Sequence, residues 1–358
     1  MLQEVLYQLL DLYNMIRIGV ICPSEIAFRR FMPAIQKAEG VQYVGVGVSN
    51  AQEWFGDKLP SVSEENINRV IKSETEKAQS FIKEYGGCLF HSYEDLISDN
   101  SIDAVYLPLP PALHYKWAKL ALEHGKHIYL EKPSTTCYDD TAYLINQAKE
   151  KSLAVHENYM FVYHNQIAEL NHIIDSGEIG DVRLIRISFG FPLRQPNDFR
   201  YNKVLGGGAL LDAGGYTMKY ASLLLGETAR LTTAQANYIE GYGVEMFASA
   251  TMVNDKGLTA QLSFGMDNDY KCDVEIWGSK GSITSGRILT APAGFTPTFT
   301  IKKNQDYETR NFSADDAFLK SVNKFVECCH NQKVRDDNYE SILRQIKYVD
   351  EFRNLAKM

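Results

Sequence analysis

From Ile16 onward, short apolar runs alternate with stretches whose apolar residues recur at helical spacing. Arg17-Ile18-Gly19-Val20-Ile21 predicts a buried strand. Ile26 to Ala38 predicts a helix, entered through Pro23-Ser24 and left at Gly40, and Val41 to Val48 a second strand. Ala104-Val105-Tyr106-Leu107 predicts a strand stopped by Pro108, followed by a helix from Ala112 to His124 closed at Gly125. His127 to Leu130 predicts a further strand and Tyr138 to Lys151 a further helix. Strands alternating with helices of this length are βαβ units, so the first half is α/β, with a parallel sheet covered on both faces.

The texture changes after about residue 180. Asp181 to Phe189, Leu231 to Tyr238, Phe247 to Val253, Thr259 to Phe264 and Cys272 to Trp277 predict strands separated by turns such as Asn254-Asp255-Lys256-Gly257. Consecutive strands with short turns predict a mostly antiparallel open sheet. Ala317 to Met358 predicts helix broken near Asn331 to Asp337. Polar residues 56–72 interrupt the first half. They read as an insertion near the adenosine end of a dinucleotide or as a solvated excursion, with a short helix started by Ser61-x-x-Glu64. Ser73-x-x-Glu76 then fits a capping box for a helix ending at Gly86-Gly87. The expected organisation is a helical extension (1–15), a nucleotide-binding α/β domain (16–153) and an α+β domain for substrate and oligomerisation (154–358). Leu2, Val5, Leu6, Leu9, Leu12 and Tyr13 carry the helical spacing of that extension.

Composition narrows the partners. The 358 residues exceed one ordinary domain, and 37 Lys+Arg against 45 Asp+Glu give a formal charge of −8. That balance gives no electrostatic footprint for nucleic acid or an anionic membrane. No apolar run has the length of a membrane span. The six cysteines are scattered, without C-x-x-C or zinc spacing, which predicts free thiols in a reducing cytoplasm and no metal site.

A dinucleotide site needs a tight turn after the first strand, where pyrophosphate meets a helix N-terminus. The usual G-x-G-x-x-G/A is replaced here by Cys22-Pro23-Ser24-Glu25-Ile26-Ala27, with only the last small residue kept. Ser24 still allows close backbone approach and offers a hydroxyl, whereas Glu25 suits a pyrophosphate only if it points away. The second strand ends Gly47-Val48-Ser49-Asn50, without the Asp or Glu expected of an NAD site. Ser49 and Asn50 lean toward NADP over NAD.

Two further motifs are more specific. Leu107-Pro108-Leu109-Pro110-Pro111-Ala112-Leu113-His114 leaves a strand and opens a helix. Gly125-Lys126-His127-Ile128-Tyr129-Leu130-Glu131-Lys132-Pro133 places two charges at the C-terminal edge of the sheet, where ligands bind in open α/β folds. Gly206-Gly207-Gly208-Ala209-Leu210-Leu211-Asp212-Ala213-Gly214-Gly215-Tyr216 follows, after Asn197-Asp198-Phe199-Arg200. Together these motifs resemble the hallmarks of the glucose–fructose oxidoreductase / inositol dehydrogenase family, from about Ile16 to the C-terminus. The resemblance implies a Rossmann domain followed by an α+β domain, NAD(P), a sugar, polyol or nucleotide-sugar substrate, and a homodimer or homotetramer built through the second sheet. It also implies a catalytic trio of Lys132, Asp212 and Tyr216.

The chemistry is consistent with that trio. Hydride exchange at a carbinol carbon needs an acid/base at the oxygen. Tyr216 serves if a cation, Lys132, lowers its pKa, and Lys132 also stabilises developing alkoxide charge. Asp212, four residues before Tyr216, shares its helix face and positions Lys132 or a sugar hydroxyl. A buried Lys–Asp pair beside a core tyrosine is the structural alternative. Cofactor contacts are expected from Ser24, Glu25, Ile26, Ala27, Ser49, Asn50, Leu107, Pro108, Leu109, His114, Glu131 and Lys132, with Glu131 orienting the nicotinamide ribose. His114 is equally suited to packing at the helix start. Asn158 and Tyr159 are placed to line the cleft. Arg200 suits either an anionic substrate group or a salt bridge. The rival functions are a regulatory ligand-binding module of the same fold without turnover, and hydrolysis through an oxidised intermediate.

Overall fold

The computed structural model describes residues 15–358, so the helix expected over 2–13 lies outside the described residues. Six strands form the first sheet: β1 (Ile16–Ile21), β2 (Val41–Gly47), β3 (Cys88–Phe90), β4 (Ala104–Leu107), β5 (His127–Leu130) and β6 (Val155–Glu157). Their order is β3-β2-β1-β4-β5-β6 and every pair is parallel. This is the doubly wound order whose direction reverses between β1 and β4, opening a crevice at the strands' C-terminal ends. The central strands β1, β4 and β5 are buried on both faces, which explains their unbroken apolar runs.

The later strands expected from the sequence are β7 (Val182–Gly190), β8 (Arg230–Tyr238), β9 (Glu245–Val253), β10 (Thr259–Gly265) and β11 (Lys271–Gly278). With β12 (Ser282–Gly286), β13 (Thr298–Lys303) and β14 (Asp306–Asn311) they form an eight-stranded second sheet, in the order β14-β13-β12-β11-β7-β10-β9-β8. Neighbours are antiparallel except β7 and β10, which run parallel at the centre. One face packs on helix Gly215–Leu225, and Phe247 and Trp277 lie exposed on the other.

Three features differ from the sequence reading. Helix Glu64–Tyr85 is continuous and is capped at Ser63, whose Oγ accepts from Asn66 N, so Ser73 and Glu76 lie inside it. Nothing between 64 and 72 breaks a helix; its polar residues mark an exposed face, and the insertion shrinks to the 3-10 turn Gly56–Ser61. The expected division at residue 153 falls just before β6, which still belongs to the first sheet. Finally, the C-terminal helices Ala317–His330 and Gln332–Ala356 return to the first domain, with only Asn331 between them. Phe318, Val322 and Phe325 join the core under β1 and β4, Tyr339 and Ile342 the core on the opposite face, and Ile346, Val349 and Phe352 the core of the second domain.

Candidate active site

Lys132 and Glu131 leave the C-terminal end of β5, at the mouth of the crevice. The glycine run approaches from the second domain. Gly208 has φ +117, and a Cβ there would lie 2.3 Å from Glu245 Oε1, which accepts from Leu210 N at 2.9 Å. A Cβ on Gly215 would meet the Tyr159 hydroxyl at 2.1 Å. Only glycine lets this turn seat so closely. The chain then makes a π-helical turn, Leu210–Gly214, and continues into helix Gly215–Leu225. Asp212 and Tyr216 thereby both face Lys132.

The three meet as follows. Lys132 Nζ donates to Asp212 Oδ1 at 2.7 Å and to its backbone oxygen at 2.9 Å. Arg200 Nε donates to the other carboxylate oxygen, Oδ2, at 2.6 Å, and Nη1 to Asp198. Arg200 is therefore held in a salt bridge with Asp198 and Asp212 through Nη1 and Nε. Lys132 Nζ lies 4.9 Å over the Tyr216 ring. Burial opposes ionisation of Asp212, but Lys132 and Arg200 outweigh it and hold the carboxyl well below its usual range.

Tyr216 corrects one expectation. Its pKa is raised, not lowered, by burial first and then by Glu131 and Asp212. The charge of Lys132 is absorbed by Asp212, and the phenol stays neutral. The ring packs edge-on against Tyr159 at 5.2 Å and Phe189 at 5.3 Å, with Phe161 at 5.7 Å. Its hydroxyl has no hydrogen-bond partner among the described residues.

Several expected contact residues instead hold the site from behind. His114 is fully buried; Nδ1 lies 2.9 Å from Pro133 O and Nε2 2.8 Å from Leu109 O, and burial pushes its pKa down to about 4. It ties the Leu107-Pro108-Leu109 loop to the Lys132-Pro133 turn. Asn158 is buried too. Its Nδ2 donates to Glu131 Oε1 at 2.8 Å, and its Oδ1 accepts from Tyr129 and Ser321. Tyr106 OH donates to the same Glu131 oxygen at 2.7 Å, and His156 Nε2 lies 2.9 Å from Ser321 Oγ. Tyr159, also buried, packs beneath Tyr216 and does not line the cleft. Burial raises the Glu131 pKa, and this polar chain fixes one oxygen of its carboxylate. No local pattern points to Ser321 or His156, because the two meet each other and Asn158 only across the fold.

At the other end of the crevice, Cys22 takes φ +74. It occupies the position of the missing first glycine and supplies a left-handed bend there, with its side chain half-buried. Ser24 Oγ accepts from Ala27 N at 3.2 Å, capping the helix and leaving the hydroxyl proton free. Glu25 is drawn aside to Arg29 at 2.6 Å. Ala27 is buried beneath the turn, whereas Ile26 is exposed. Ser49 is buried, and its Oγ has no hydrogen-bond partner among the described residues. Asn50 forms a reciprocal capping box with Glu53, leaving its Nδ2 outside the cap.

Comparison with known proteins decides the family. Residues 41–159 match the model of the oxidoreductase family with an NAD-binding Rossmann fold, and residues 167–284 the GFO/IDH/MocA C-terminal domain. A dTDP-3,4-didehydro-2,6-dideoxy-alpha-D-glucose 3-reductase of Streptomyces violaceoruber is 35% identical over 352 residues, covering 96% of each chain. The chain belongs to the GFO/IDH/MocA oxidoreductase family. It is an NAD(P)-dependent oxidoreductase with a Rossmann domain and a mostly antiparallel second sheet, as the motifs implied. A D-xylose 1-dehydrogenase (NADP(+)) of Haloferax volcanii is 28% identical over 314 residues, covering 86% of this chain and 94% of the relative. A solved 3-ketoreductase of Actinomadura kijaniata, in complex with NADP and TDP-benzene, superposes with a TM-score of 0.85 at 32% identity, covering 95% and 98% of the two chains.

The oxidoreductase-family match begins at Val41 and omits the first turn, where this member departs from the glycine fingerprint. The turn nevertheless fits a dinucleotide. Its bend is made by Cys22, the acidic side chain is turned away, and the first-turn amides of Glu25 and Ile26 have no intrahelical acceptor.

Proposed function

We propose that this family member is an NADPH-dependent ketoreductase acting on a nucleotide-linked deoxysugar. The observation that carries the reading is the neutral, unpartnered Tyr216 hydroxyl beside the Lys132–Asp212 bridge. A phenol that keeps its proton in the resting site can hand it to a ketone oxygen as hydride arrives. The relatives named for 3-reduction of a dTDP-sugar span nearly their whole length in this chain, and the solved neighbour holds NADP. Solved variants of that reductase replace one lysine and one tyrosine, separated by the same number of positions as Lys132 and Tyr216. The lost glycines alone favour a module without turnover, and Cys22 compensates for them.

Bound NADPH supplies the hydride. Ser24 and the amides of the first turn hold its pyrophosphate, and Glu131, fixed by Tyr106 and Asn158, holds the nicotinamide ribose. Lys132 spends two N–H groups on Asp212 and keeps its third for the substrate oxygen. As charge grows on that oxygen, Lys132 stabilises it and Tyr216 delivers the proton. The resulting phenolate regains a proton from water. Asp212, pinned by Arg200, keeps the ammonium aimed.

Supporting an assembly, the outer face of the second sheet exposes Phe247 and Trp277; a homodimer or homotetramer through this face completes the reading. Six free cysteines agree with a reducing cytoplasm. The experiment offers NADPH with a dTDP-linked 3-keto-deoxysugar or with unlinked sugars and follows loss of NADPH absorbance. Efficient turnover of the linked ketone alone is expected. Comparable kcat/KM with unlinked sugars would overturn the nucleotide-linked part, and no turnover of any ketone the reductase part.

A further inference from the structure

Two arginines stand over aromatic rings at the rim of the cleft. The Arg194 guanidinium lies 5.0 Å from the Phe191 ring centre, and that of Arg287 lies 5.2 Å from the Tyr270 ring centre. Arg186, Arg230 and Arg310 of the same sheet each have a carboxylate partner. Arg194 and Arg287 have none within ion-pair distance among the described residues.

The sheet register places both aromatic platforms close to the strand positions that pack on Tyr216. Cys272 of β11 pairs with Phe189 of β7, whose ring touches Tyr216. Lys271 pairs with Gly190, so Tyr270 and Phe191 lie one position farther along, where the strands reach the cleft. Thr290 Oγ1 lies 3.3 Å from Cys272 Sγ and 3.0 Å from the Tyr270 hydroxyl, anchoring that ring. Arg287 has φ +51, a left-handed conformation uncommon outside glycine, retained where the side chain stacks on Tyr270.

We propose that Arg194 and Arg287 bind the diphosphate of a nucleotide-linked substrate. In a chain of net charge −8, such a dianion depends on local cations. A guanidinium fork meets phosphate oxygens two at a time, and stacking on a ring fixes its plane beforehand. Phe191 and Tyr270 serve as platforms for the arginines, while Lys132 and Arg200 stay committed to Asp212. The assignment rests on the nucleotide-linked reading above and names the residues that make it work.

The test uses dTDP as the probe, titrated calorimetrically into the full chain loaded with NADP+. The variants are Arg194→Gln, Arg287→Gln and both together, with thymidine as the phosphate-free control. Each single variant is expected to weaken dTDP by about 10- to 100-fold, the double variant by more, with NADP+ and thymidine affinities unmoved. Unchanged dTDP affinity in the double variant overturns the arginine assignment and leaves the nucleotide-linked reading standing. Failure of the unaltered protein to bind dTDP, together with turnover of an unlinked keto-sugar, overturns that reading and this assignment with it.

Discussion

Tyr216→Phe separates chemistry from packing. The ring is wedged among Tyr159, Phe161 and Phe189 and is 8% exposed, so phenylalanine keeps every one of those contacts. The hydroxyl that is lost bonds to no described residue. Removing an unpaired hydroxyl from such a place changes stability by under about 1 kcal/mol. The proton donor, by contrast, is gone. General acid catalysis is worth about 100- to 10,000-fold, or about 3–5 kcal/mol of barrier. The assay is single-turnover oxidation of bound NADPH by the ketone substrate, alongside thermal unfolding of the same sample. The expected result is a steep drop in the chemical step with KM and melting temperature nearly unchanged. Near-normal turnover would refute the assignment of Tyr216 as the acid. A fall in melting temperature that accounts for the lost activity would make the tyrosine a core residue only.

Asp212→Asn leaves Lys132 and Arg200 facing one another across a site where their side chains are 13% and 21% exposed. A stability loss of about 2–4 kcal/mol is expected, toward the lower end for broken buried pairs because these are partly solvated; an unchanged urea midpoint would contradict it. Ser321→Ala removes the hydroxyl that bonds Asn158 and His156; it should raise KM for NADPH several-fold with kcat preserved, and equal losses in both would argue against positioning through Glu131. Burial pushes the pKa of His114 and His127 down to about 4 and that of His156 to about 3. Between these values and the ordinary ~6.5 the unfolded chain binds more protons. Stability should therefore fall as pH drops from about 6.5 toward 4, by on the order of 2 kcal/mol per histidine at pH 5; urea midpoints that stay level from pH 7.5 to 5 would refute this.

The parallel half of the fold and the Lys132–Asp212–Tyr216 cluster were legible because each rests on local signals: apolar runs, turn residues and motifs at fixed spacing. What escaped depends on distant contacts or on weak patterns. Strands β12 (Ser282–Gly286), β13 (Thr298–Lys303) and β14 (Asp306–Asn311) are short and lie toward one edge, and β14 is largely exposed, so their apolar alternation is faint. The helix beginning at Glu64 was obscured by two capping patterns competing within one polar stretch. The turn at Cys22 looked unfit because glycine is its usual solution, yet a cysteine adopts the same backbone bend there. His114, Asn158 and Tyr159 follow strands β4 and β6 in the sequence, and all three are buried. Whether such a side chain points into the cleft or behind it is decided by strand parity and by helix Ala317–His330, packed from far along the chain.

That same helix has a consequence for how the molecule is made. Phe318, Val322 and Phe325 fill the core of a sheet whose strands are all complete by residue 157. A nascent chain emerging from the ribosome thus carries its nucleotide-binding half with one wall open until the helices beyond residue 317 arrive. The chain cannot mature one domain at a time: the core beneath the first sheet is completed only by helices made last, and shortening the protein from its C-terminal side exposes the part made first.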